Sequence, residues 1–385
     1  MVNHFDVAIV GAGPAGSHCA RRLASAGARV ALLDGSHPRE KPCGGGITGR
    51  ALDLLGASID LAALGAVRIE RVAFEHDRQR VEVPVDSRGS SADLIVSSRR
   101  GFDSALLASA STAGAALVPE RVTDVAADDG TWKVTTRDRT IRARWLIGAD
   151  GPNSLVRRRV STPFERADLS IALGFFVHGV TSPCITVAFE DRPAGYLWSF
   201  PRQDHLAVGV CAQADQSTPA ALTPLVSAWI TRNVPDAGRL ERYGWAIPSL
   251  RARTLGRDCA AGSRWMLLGD AAGLVDPITR EGIFFALQSA DEAADSLATE
   301  GVDPATAYVQ RLRDTIYPEL MRAARLKAMF FQPRFTRLLL RALAKSAAIR
   351  QIMLDLIAGR QPYRGLRRRL LKTREFRLML AMLRG

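Results

Sequence analysis

The chain has 385 residues, of which 47% are hydrophobic and 24% charged, a composition typical of a globular protein with more than one core. No apolar run approaches the ~18 residues of a membrane-spanning helix. The N-terminus carries no secretory signal pattern, so we expect a cytoplasmic protein. The five cysteines and six histidines are widely spaced, which argues against a disulfide framework and against a metal site.

The net charge of +13 is concentrated near the C-terminus. From Arg322 onward the chain carries 17 Lys and Arg against two acidic residues, a local charge of +15. The rest of the chain is therefore close to neutral. The basic character of the protein is a property of its C-terminal tail and not of the remaining chain.

The N-terminal segment has the pattern of a strand, a helix and a second strand. Residues 5–10 (FDVAIV) and 28–33 (ARVALL) are apolar, β-branched runs typical of buried parallel strands. Residues 13–26 between them have helical character. This order predicts the first β-α-β unit of a Rossmann-like nucleotide-binding domain.

A glycine-rich turn of the form G-x-G-x-x-G joins the first strand to the helix. It consists of Gly11, Ala12, Gly13, Pro14, Ala15 and Gly16. Such glycines allow a tight bend, close approach of a pyrophosphate and close helix–strand packing, and the helix N-terminus attracts the phosphate. Asp34, at the end of the second strand, is placed to accept hydrogen bonds from a ribose diol. The turn predicts a bound dinucleotide but does not by itself separate FAD from NAD.

The later elements change in type along the chain. In order, the patterns predict strands at 67–74 and 81–85, a helix at 102–116, a buried strand at 145–148, four strands between 170 and 212, a strand at 265–269, and helices at 282–299 and after 304. The close spacing of the four strands, without intervening helices, indicates an antiparallel sheet.

These patterns divide the chain into three parts. We expect a discontinuous α/β nucleotide-binding domain (1–66, 97–160 and 258–303), an inserted antiparallel β-sheet substrate domain (67–96 and 161–257), and a basic helical C-terminal region (304–385).

Two further segments place a carboxylate at the C-terminal end of a buried strand. Asp150-Gly151 follows one such strand and Asp270 follows another. A carboxylate there can hold a ribityl hydroxyl, and the helix that starts at Gly282-Ile283 can stabilise negative charge on a reduced flavin. Together with the glycine turn, these segments predict FAD as the cofactor.

Over residues 1–300 the sequence resembles FAD-dependent oxidoreductases of the aromatic-hydroxylase type, and within them the geranylgeranyl reductase family. The resemblance implies that Asp150-Gly151 contacts FAD and a transient nicotinamide nucleotide, and that Asp270 is the ribityl ligand. Arg99 matches the arginine of the family's R-x-x-F-D helix.

Two motifs are similar to those of the reductase branch. The first is P-C-G-G-G at residues 42–46, a loop that can lie flat against a ring system, with Cys43, Gly44, Gly45 and Gly46 at the flavin. A flexible loop with an incidental thiol is the alternative. The second is Y-L-W-S-F-P, in which Tyr196, Trp198 and Phe200 share one strand face and form a wall for a hydrocarbon chain. Ordinary sheet core is the alternative here.

The family implies reduction of carbon–carbon double bonds in an isoprenoid or similar lipid chain by hydride transfer from reduced flavin. Cys43 would be the catalytic residue, facing the reacting carbons, and NAD(P)H or a ferredoxin-like protein would donate electrons. Two residues depart from the family pattern: Arg280 stands where many relatives have Gly, and Arg202 stands where Lys is frequent. A flavin-dependent monooxygenase or halogenase acting on an aromatic or polyketide-like molecule remains the competing hypothesis, and a flavoprotein that binds lipid without turnover is a third.

The basic tail has apolar positions at helical spacing among many arginines. An amphipathic helix on an anionic membrane surface, a nucleic-acid surface and a solvated face packed on the enzyme all fit this pattern. A lipid substrate favours peripheral membrane association, and we expect no nucleic-acid partner. His178 and His205 lie in predicted strands and receive no role.

Overall fold

The computed structural model describes residues 3–85, 94–257 and 259–373. Its strands, in chain order, are β1 (Asn3–Val10), β2 (Val30–Leu33), β3 (Gly46–Thr48), β4 (Val67–Arg68), β5 (Arg71–His76), β6 (Gln79–Pro84), β7 (Leu94–Val96), β8 (Ala116–Val118), β9 (Val122–Asp128), β10 (Thr131–Thr136), β11 (Thr140–Gly148), β12 (Leu169–His178), β13 (Cys184–Asp191), β14 (Ala194–Pro201), β15 (His205–Gln213), β16 (Leu240–Pro248), β17 (Ala261–Gly262) and β18 (Trp265–Leu267).

The α-helices are α1 (Pro14–Ser25), α2 (Gly49–Leu55), α3 (Arg99–Thr112), α4 (Leu155–Val160), α5 (Pro219–Asn233), α6 (Ala252–Leu255), α7 (Ile283–Ala298), α8 (Pro304–Thr315), α9 (Tyr317–Phe330), α10 (Pro333–Lys345), α11 (Ala347–Ile357) and α12 (Leu366–Leu371). Short 3-10 turns lie at Gly56–Ser58, Ala62–Leu64, Arg166–Asp168 and Gly269–Ala272.

The first sheet is built around β1, which is apolar on both faces and pairs in parallel with β2 and β11. Its strand order is β17-β18-β11-β1-β2-β8, and the β9–β10 hairpin extends it antiparallel to β11. Helix α1 packs between α3 and α7. Because β1, β2, β11 and β18 run parallel, their C-terminal ends meet at one edge, next to the N-terminus of α1. The predicted Rossmann-like FAD-binding fold is confirmed.

Helix α3 differs from the helix predicted at 102–116. It begins earlier because the Ser98 hydroxyl accepts a 2.9 Å hydrogen bond from the Gly101 amide and caps the first turn. It ends earlier because Gly114 adopts a φ of +100°, after which Ala116 enters strand β8 instead.

The second sheet has the order β16-β12-β15-β14-β13-β5-β6. Its neighbours are antiparallel except β5 and β13, which run parallel, so the predicted antiparallel sheet contains one parallel pair. The strand predicted at 67–74 is divided: β4 joins β3 and β7 in a small sheet, and only β5 belongs to the large one. Helix α5 covers one face with Val226 and Trp229.

The C-terminal helices pack on the second sheet. Apolar residues of α10 and α11, including Leu339, Leu343 and Ile352, form one core with Phe74 of β5 and Ile185 of β13. The apolar face of the tail is therefore buried against the protein, as in the third interpretation of the sequence. The part of the predicted basic region beyond 373 lies outside the described residues.

Within residues 3–85, 94–257 and 259–373, no helix is both long and apolar enough to cross a membrane.

Candidate active site

A large cavity lies between the two sheets and the C-terminal helices. Most residues that the sequence assigned to cofactor or substrate line it: Gly13, Pro14, Ala15, Cys43, Gly44, Gly45, Gly46, Arg99, Gly151, Tyr196, Trp198, Phe200, Asp270, Gly282 and Ile283. Four others, Gly11, Gly16, Asp34 and Asp150, lie behind this lining. The fold thus brings segments more than two hundred residues apart in the chain to one site.

The glycine turn is held close to the segment after β11. Gly11 has a φ of +102°, and a Cβ atom there would lie 2.4 Å from the Ala149 carbonyl oxygen. A Cβ at Gly16 would lie 1.8 Å from the Gly11 oxygen. Both glycines therefore serve backbone packing. Helix α1 begins at Pro14 with no side-chain cap, so the free N–H groups of its first turn remain available to an anion in the cavity.

Asp34 already accepts several hydrogen bonds from the protein. One carboxylate oxygen accepts from the Ala12 amide at 2.9 Å and from His37 Nδ1 at 2.7 Å, and the other accepts from Ser36. Burial alone would raise the pKa of Asp34, but these hydrogen bonds lower it overall. The predicted ribose contact of Asp34 stays a prediction.

Asp150 is likewise engaged. Its carboxylate accepts hydrogen bonds from the Ser154 hydroxyl at 2.5 Å and from the Leu155 amide at 2.6 Å, at the start of α4. Gly151, next in the chain, does line the cavity. The predicted contact between the Asp150 carboxylate and FAD also stays a prediction.

Three ionisable side chains face the nucleotide end of the cavity. Asp270 is half-buried there, and desolvation raises its pKa although Lys41 and Arg99 partly oppose this. Lys41 is a cavity residue that the sequence did not predict. Burial and the charge of Arg99 lower its pKa. Arg99 forms a two-pronged ion pair with Asp103 at 3.0 and 2.9 Å. Burial lowers the pKa of Arg99, but Asp103 and Cys43 more than offset this and raise it.

The loop 42–46 is fixed by Arg202, the first of the two departures from the family pattern. Arg202 is 2% exposed, and it donates hydrogen bonds to the carbonyl oxygens of Gly44 at 2.5 Å and Cys43 at 2.9 Å. The Gly45 amide lies 3.2 Å from Cys43 Sγ. A Cβ at Gly44 would contact the Phe200 ring at 3.1 Å, so the loop lies flat against the aromatic wall.

The aromatic wall on β14 is wider than its three residues. Small residues behind it make room: a Cβ at Gly209 would lie 2.3 Å from the Trp198 ring. The Tyr196 ring stacks on Phe331 at the end of α9, with 6.3 Å between centroids and 8° between planes. Further apolar contributions to the lining come from the tail, namely Phe330, Met353 and Ile357. Nothing in the local sequence of the tail predicted that it would line this cavity.

The two uncommitted histidines lie outside the cavity lining. The fold brings His178, Asp204 and His205 together, with one ligand atom from each within 4.8 Å of the others. The wide spacing of the histidines in the sequence does not predict this cluster. His205 Nδ1 lies 2.7 Å from Asp204, and His178 Nε2 lies 3.1 Å from Arg239. Close approach of an arginine disfavours a metal ion at this point.

The residues of the cavity fit FAD. The uncapped N-terminus of α1 and the ammonium of the half-buried Lys41 suit a pyrophosphate, and a Cβ on Gly13 would lie 3.7 Å from Lys41 Nζ. Asp270 lies in the lining, where it suits a ribityl hydroxyl, and Gly282 precedes the first turn of α7. The family described as FAD binding domain matches residues 4–306. Fold and site together define an FAD-dependent oxidoreductase.

Similar proteins narrow this class. Digeranylgeranylglycerophospholipid reductase of Methanothrix thermoacetophila is 30% identical over 348 residues, covering 85% of this chain and 88% of that protein. Menaquinone reductase of Mycolicibacterium smegmatis is 29% identical and covers 87% of each chain. The chain belongs to the geranylgeranyl reductase family of FAD-dependent oxidoreductases, as its motifs predicted.

Solved structures agree on the fold. A geranylgeranyl bacteriochlorophyll reductase-like protein from Thermoplasma acidophilum has a TM-score of 0.79 at 21% identity, covering 97% of this chain and 100% of that one. A flavin-dependent brominase has a TM-score of 0.71 at 21% identity, covering 96% and 99%. At these identities the likeness concerns the fold and leaves the reaction open.

Proposed function

We propose that this protein uses FAD to saturate carbon–carbon double bonds in the isoprenoid chain of a lipid. The observation that carries the proposal is the composition of one cavity. Its nucleotide end holds the glycine turn, Lys41 and Asp270, and its other end is aromatic and aliphatic. The relatives named as reductases of digeranylgeranylglycerophospholipid and of menaquinone support the same class of substrate.

Each part of the lining would have a distinct task. Reduced FAD, when bound, supplies the hydride. Tyr196, Trp198 and Phe200 would align the chain and exclude water, which matters because an isolated alkene is a poor hydride acceptor. Cys43 carries the one thiol that lines the cavity in the described part of the chain, and its Sγ would hold a proton beside the reacting carbons.

The electron donor is proposed to be NAD(P)H or a ferredoxin-like protein. The sequence has a single dinucleotide fingerprint, which is committed to FAD, so a nicotinamide nucleotide would visit only transiently. Asp150-Gly151 is the proposed point of that visit.

A basic stripe on α10 supports docking on an anionic membrane surface. Arg334, Arg337, Arg341 and Lys345 follow each other at helical spacing and are exposed, opposite the apolar face that packs on the second sheet. Among the residues with described side chains, none forms an ion pair with these four, so their charge is free to meet anionic lipid.

A monooxygenase or halogenase acting on an aromatic molecule is the second candidate, favoured by the likeness in fold to a flavin-dependent brominase. The absence of W-x-W-x-I-P from the sequence speaks against a halogenase. Oxygen separates the hypotheses: the reductase should turn over without it, whereas a monooxygenase requires it and yields a hydroxylated product.

The decisive experiment compares lipids, by mass spectrometry, from cells that lack or overproduce the protein. We expect prenyl lipids to gain two hydrogen atoms per reduced bond in the overproducing cells. Anaerobic incubation of the chemically reduced holoenzyme with the same lipid should reproduce the gain. Unchanged prenyl lipids in both settings, together with an oxygenated or halogenated product, would refute the reductase.

A further inference from the structure

Arg280, the second departure from the family pattern, is conformationally unusual. Its φ is +61°, in the left-handed region, which is unfavourable for a residue with a side chain. Glycine adopts the same backbone conformation without strain. Arg280 therefore retains a strained backbone while carrying a long cationic side chain into the cavity lining.

The guanidinium of Arg280 is poorly satisfied by the protein. Its Nε and Nη1 atoms are buried and have no hydrogen-bond partner within the described parts of the chain. Buried donors without partners are rare because each gives up its hydrogen bonds to water without a replacement. Strain and unsatisfied donors at a single residue indicate a functional constraint.

The carboxylates nearest in sequence are already occupied. Glu281 accepts a 2.8 Å hydrogen bond from the Thr48 hydroxyl and pairs with Arg50. Asp276 accepts from the Ile278 amide at 2.7 Å and lies 3.2 Å from the Tyr363 hydroxyl. Neither pairs with Arg280, so its positive charge is not cancelled by a neighbouring carboxylate.

A second cation, the half-buried Lys327, lies within electrostatic reach of Arg280. The Lys327 ammonium donates to neutral partners, the Ser249 hydroxyl at 2.6 Å and the Gln213 side chain. Burial, followed by the charge of Arg280, lowers the pKa of Lys327. The charge of Arg280 also acts on Tyr196 of the aromatic wall. Positive charge thus accumulates where the apolar lining meets the loop before α7.

We propose that Arg280 forms an anion-binding subsite for a phosphate or carboxylate at the polar end of the substrate. Its guanidinium would form charge-assisted hydrogen bonds with the anion, stronger than neutral ones, in a cavity that is otherwise largely apolar. The identification of the attached chain as isoprenoid rests on the proposed function.

The test measures binding and needs no turnover. Geranylgeranyl phosphate, the corresponding isoprenoid carboxylic acid and geranylgeraniol are titrated into FAD-loaded protein, and the flavin absorbance is followed. We expect at least one of the two anions to bind the wild type about tenfold tighter than the alcohol, with the stronger of the two identifying the group. In Arg280→Gly that preference should disappear while the affinity for the alcohol stays within about twofold.

Two control variants test whether the effect belongs to the charge at position 280: one makes the same change at a remote site, and the other removes the charge but keeps the side-chain length. Arg264 also has a positive φ, +58°, but is exposed and lies outside the cavity lining. Arg264→Gly should leave all three affinities unchanged. Arg280→Gln, which retains a polar side chain of similar length without charge, should lose the anion preference as well and serves if the glycine variant fails to fold.

Three results would overturn the subsite. They are a wild type that does not distinguish either anion from the alcohol, an Arg280 variant that weakens all three ligands equally, and a changed flavin reduction potential in Arg280→Gln, which would assign the charge to the cofactor. The proposed function fails separately: if the anion preference is present but no prenyl lipid is reduced, the subsite stands and the reductase does not.

Discussion

The Tyr196 hydroxyl donates a 2.8 Å hydrogen bond to the carbonyl oxygen of Thr279. This contact joins the aromatic wall on β14 to the loop that leads into α7, and it spans 83 residues of sequence. One end of the pair lies on the proposed substrate wall and the other directly precedes Arg280. One half-buried phenol therefore connects the proposed substrate wall to the loop that precedes α7.

Loss of the Arg202 fork should destabilise the protein. Arg202→Met removes the donors from the half-buried carbonyl oxygens of Cys43 and Gly44, and each lost hydrogen bond costs about 0.5–1.5 kcal/mol. We expect a lower free energy of unfolding and a lower FAD content. Arg202→Lys, which has one ammonium in place of the planar guanidinium, should have a free energy of unfolding between those of the wild type and Arg202→Met. Arg158→Met, which removes an exposed hydrogen bond to the Asn153 carbonyl, is the control and should be nearly neutral. Denaturant titration measures all three, and equal stability of Met and wild type at position 202 would contradict the assignment.

Gly45 should not tolerate a side chain. Its φ is +68°, and a Cβ would lie 2.4 Å from both the Ser97 carbonyl oxygen and Arg202. Backbone strain of about 1–2 kcal/mol and overpacking of about 1–3 kcal/mol should add in Gly45→Ala. Gly301→Ala, at a φ of +78° with open space around it, carries only the strain. The difference between their melting temperatures isolates the packing contribution; similar losses would mean that the loop can move aside.

Lys327 should make stability depend on pH. Burial, with Arg280, lowers its pKa from 10.5 to about 7 in the folded protein. Between these values the unfolded chain binds more protons, so this residue contributes stability that rises as the pH increases from about 7 toward 10, by at most about 1.4 kcal/mol per pH unit. Below pH 7 both states are protonated and its contribution is constant.

Subtraction isolates the Lys327 effect from other titrating groups. The free energy of unfolding of wild type minus that of Lys327→Met should increase over this range, whereas Lys345→Met, at an exposed position on α10, should give a flat difference. In Arg280→Gly the increase should begin at higher pH, because a charge that lowers the pKa of Lys327 is gone. A flat difference for Lys327→Met would show that this ammonium stays protonated in the folded protein.

Cys43 should matter for turnover and not for folding. In Cys43→Ala the FAD content should be retained, while reduction of a prenyl lipid should slow by about tenfold or more if its thiol serves as general acid. Cys184→Ala removes a buried thiol outside the cavity lining and should keep the rate. Single-turnover oxidation of the reduced flavin by the lipid provides the measurement. An unchanged rate in Cys43→Ala would remove the thiol from the mechanism.

The basic stripe should govern attachment to anionic vesicles. We expect the double variant Arg337→Glu, Arg341→Glu to bind vesicles containing phosphatidylglycerol much more weakly, since each basic residue contributes about 1 kcal/mol at such a surface. Lys133→Glu, Arg137→Glu changes the net charge equally at exposed positions of the first sheet's hairpins. Vesicle co-sedimentation compares the two pairs, and equal losses would point to net charge in place of a defined surface.

Much of the fold was readable from sequence because it depends on local pattern. The β-α-β unit follows from buried apolar runs on either side of Gly11–Gly16, and strand ends at Asp150 and Asp270 could be placed without knowing what packs around them. The predictions were wrong where contacts with distant segments decide the structure. The single strand predicted at 67–74 is two strands, of which β5 pairs with β13, and Ala116, predicted as helical, belongs to strand β8.

The sequence by itself determined the dinucleotide turn, the family and fifteen of the residues that line the cavity, because backbone conformation and strand periodicity are short-range properties. Only the tertiary structure decided that the tail closes the cavity through Phe330, Met353 and Ile357, and that Lys327 lies near Arg280. Helical periodicity shows which side of a helix is apolar but not which surface that side will cover. That choice depends on the shapes of two surfaces formed by residues far apart in the chain.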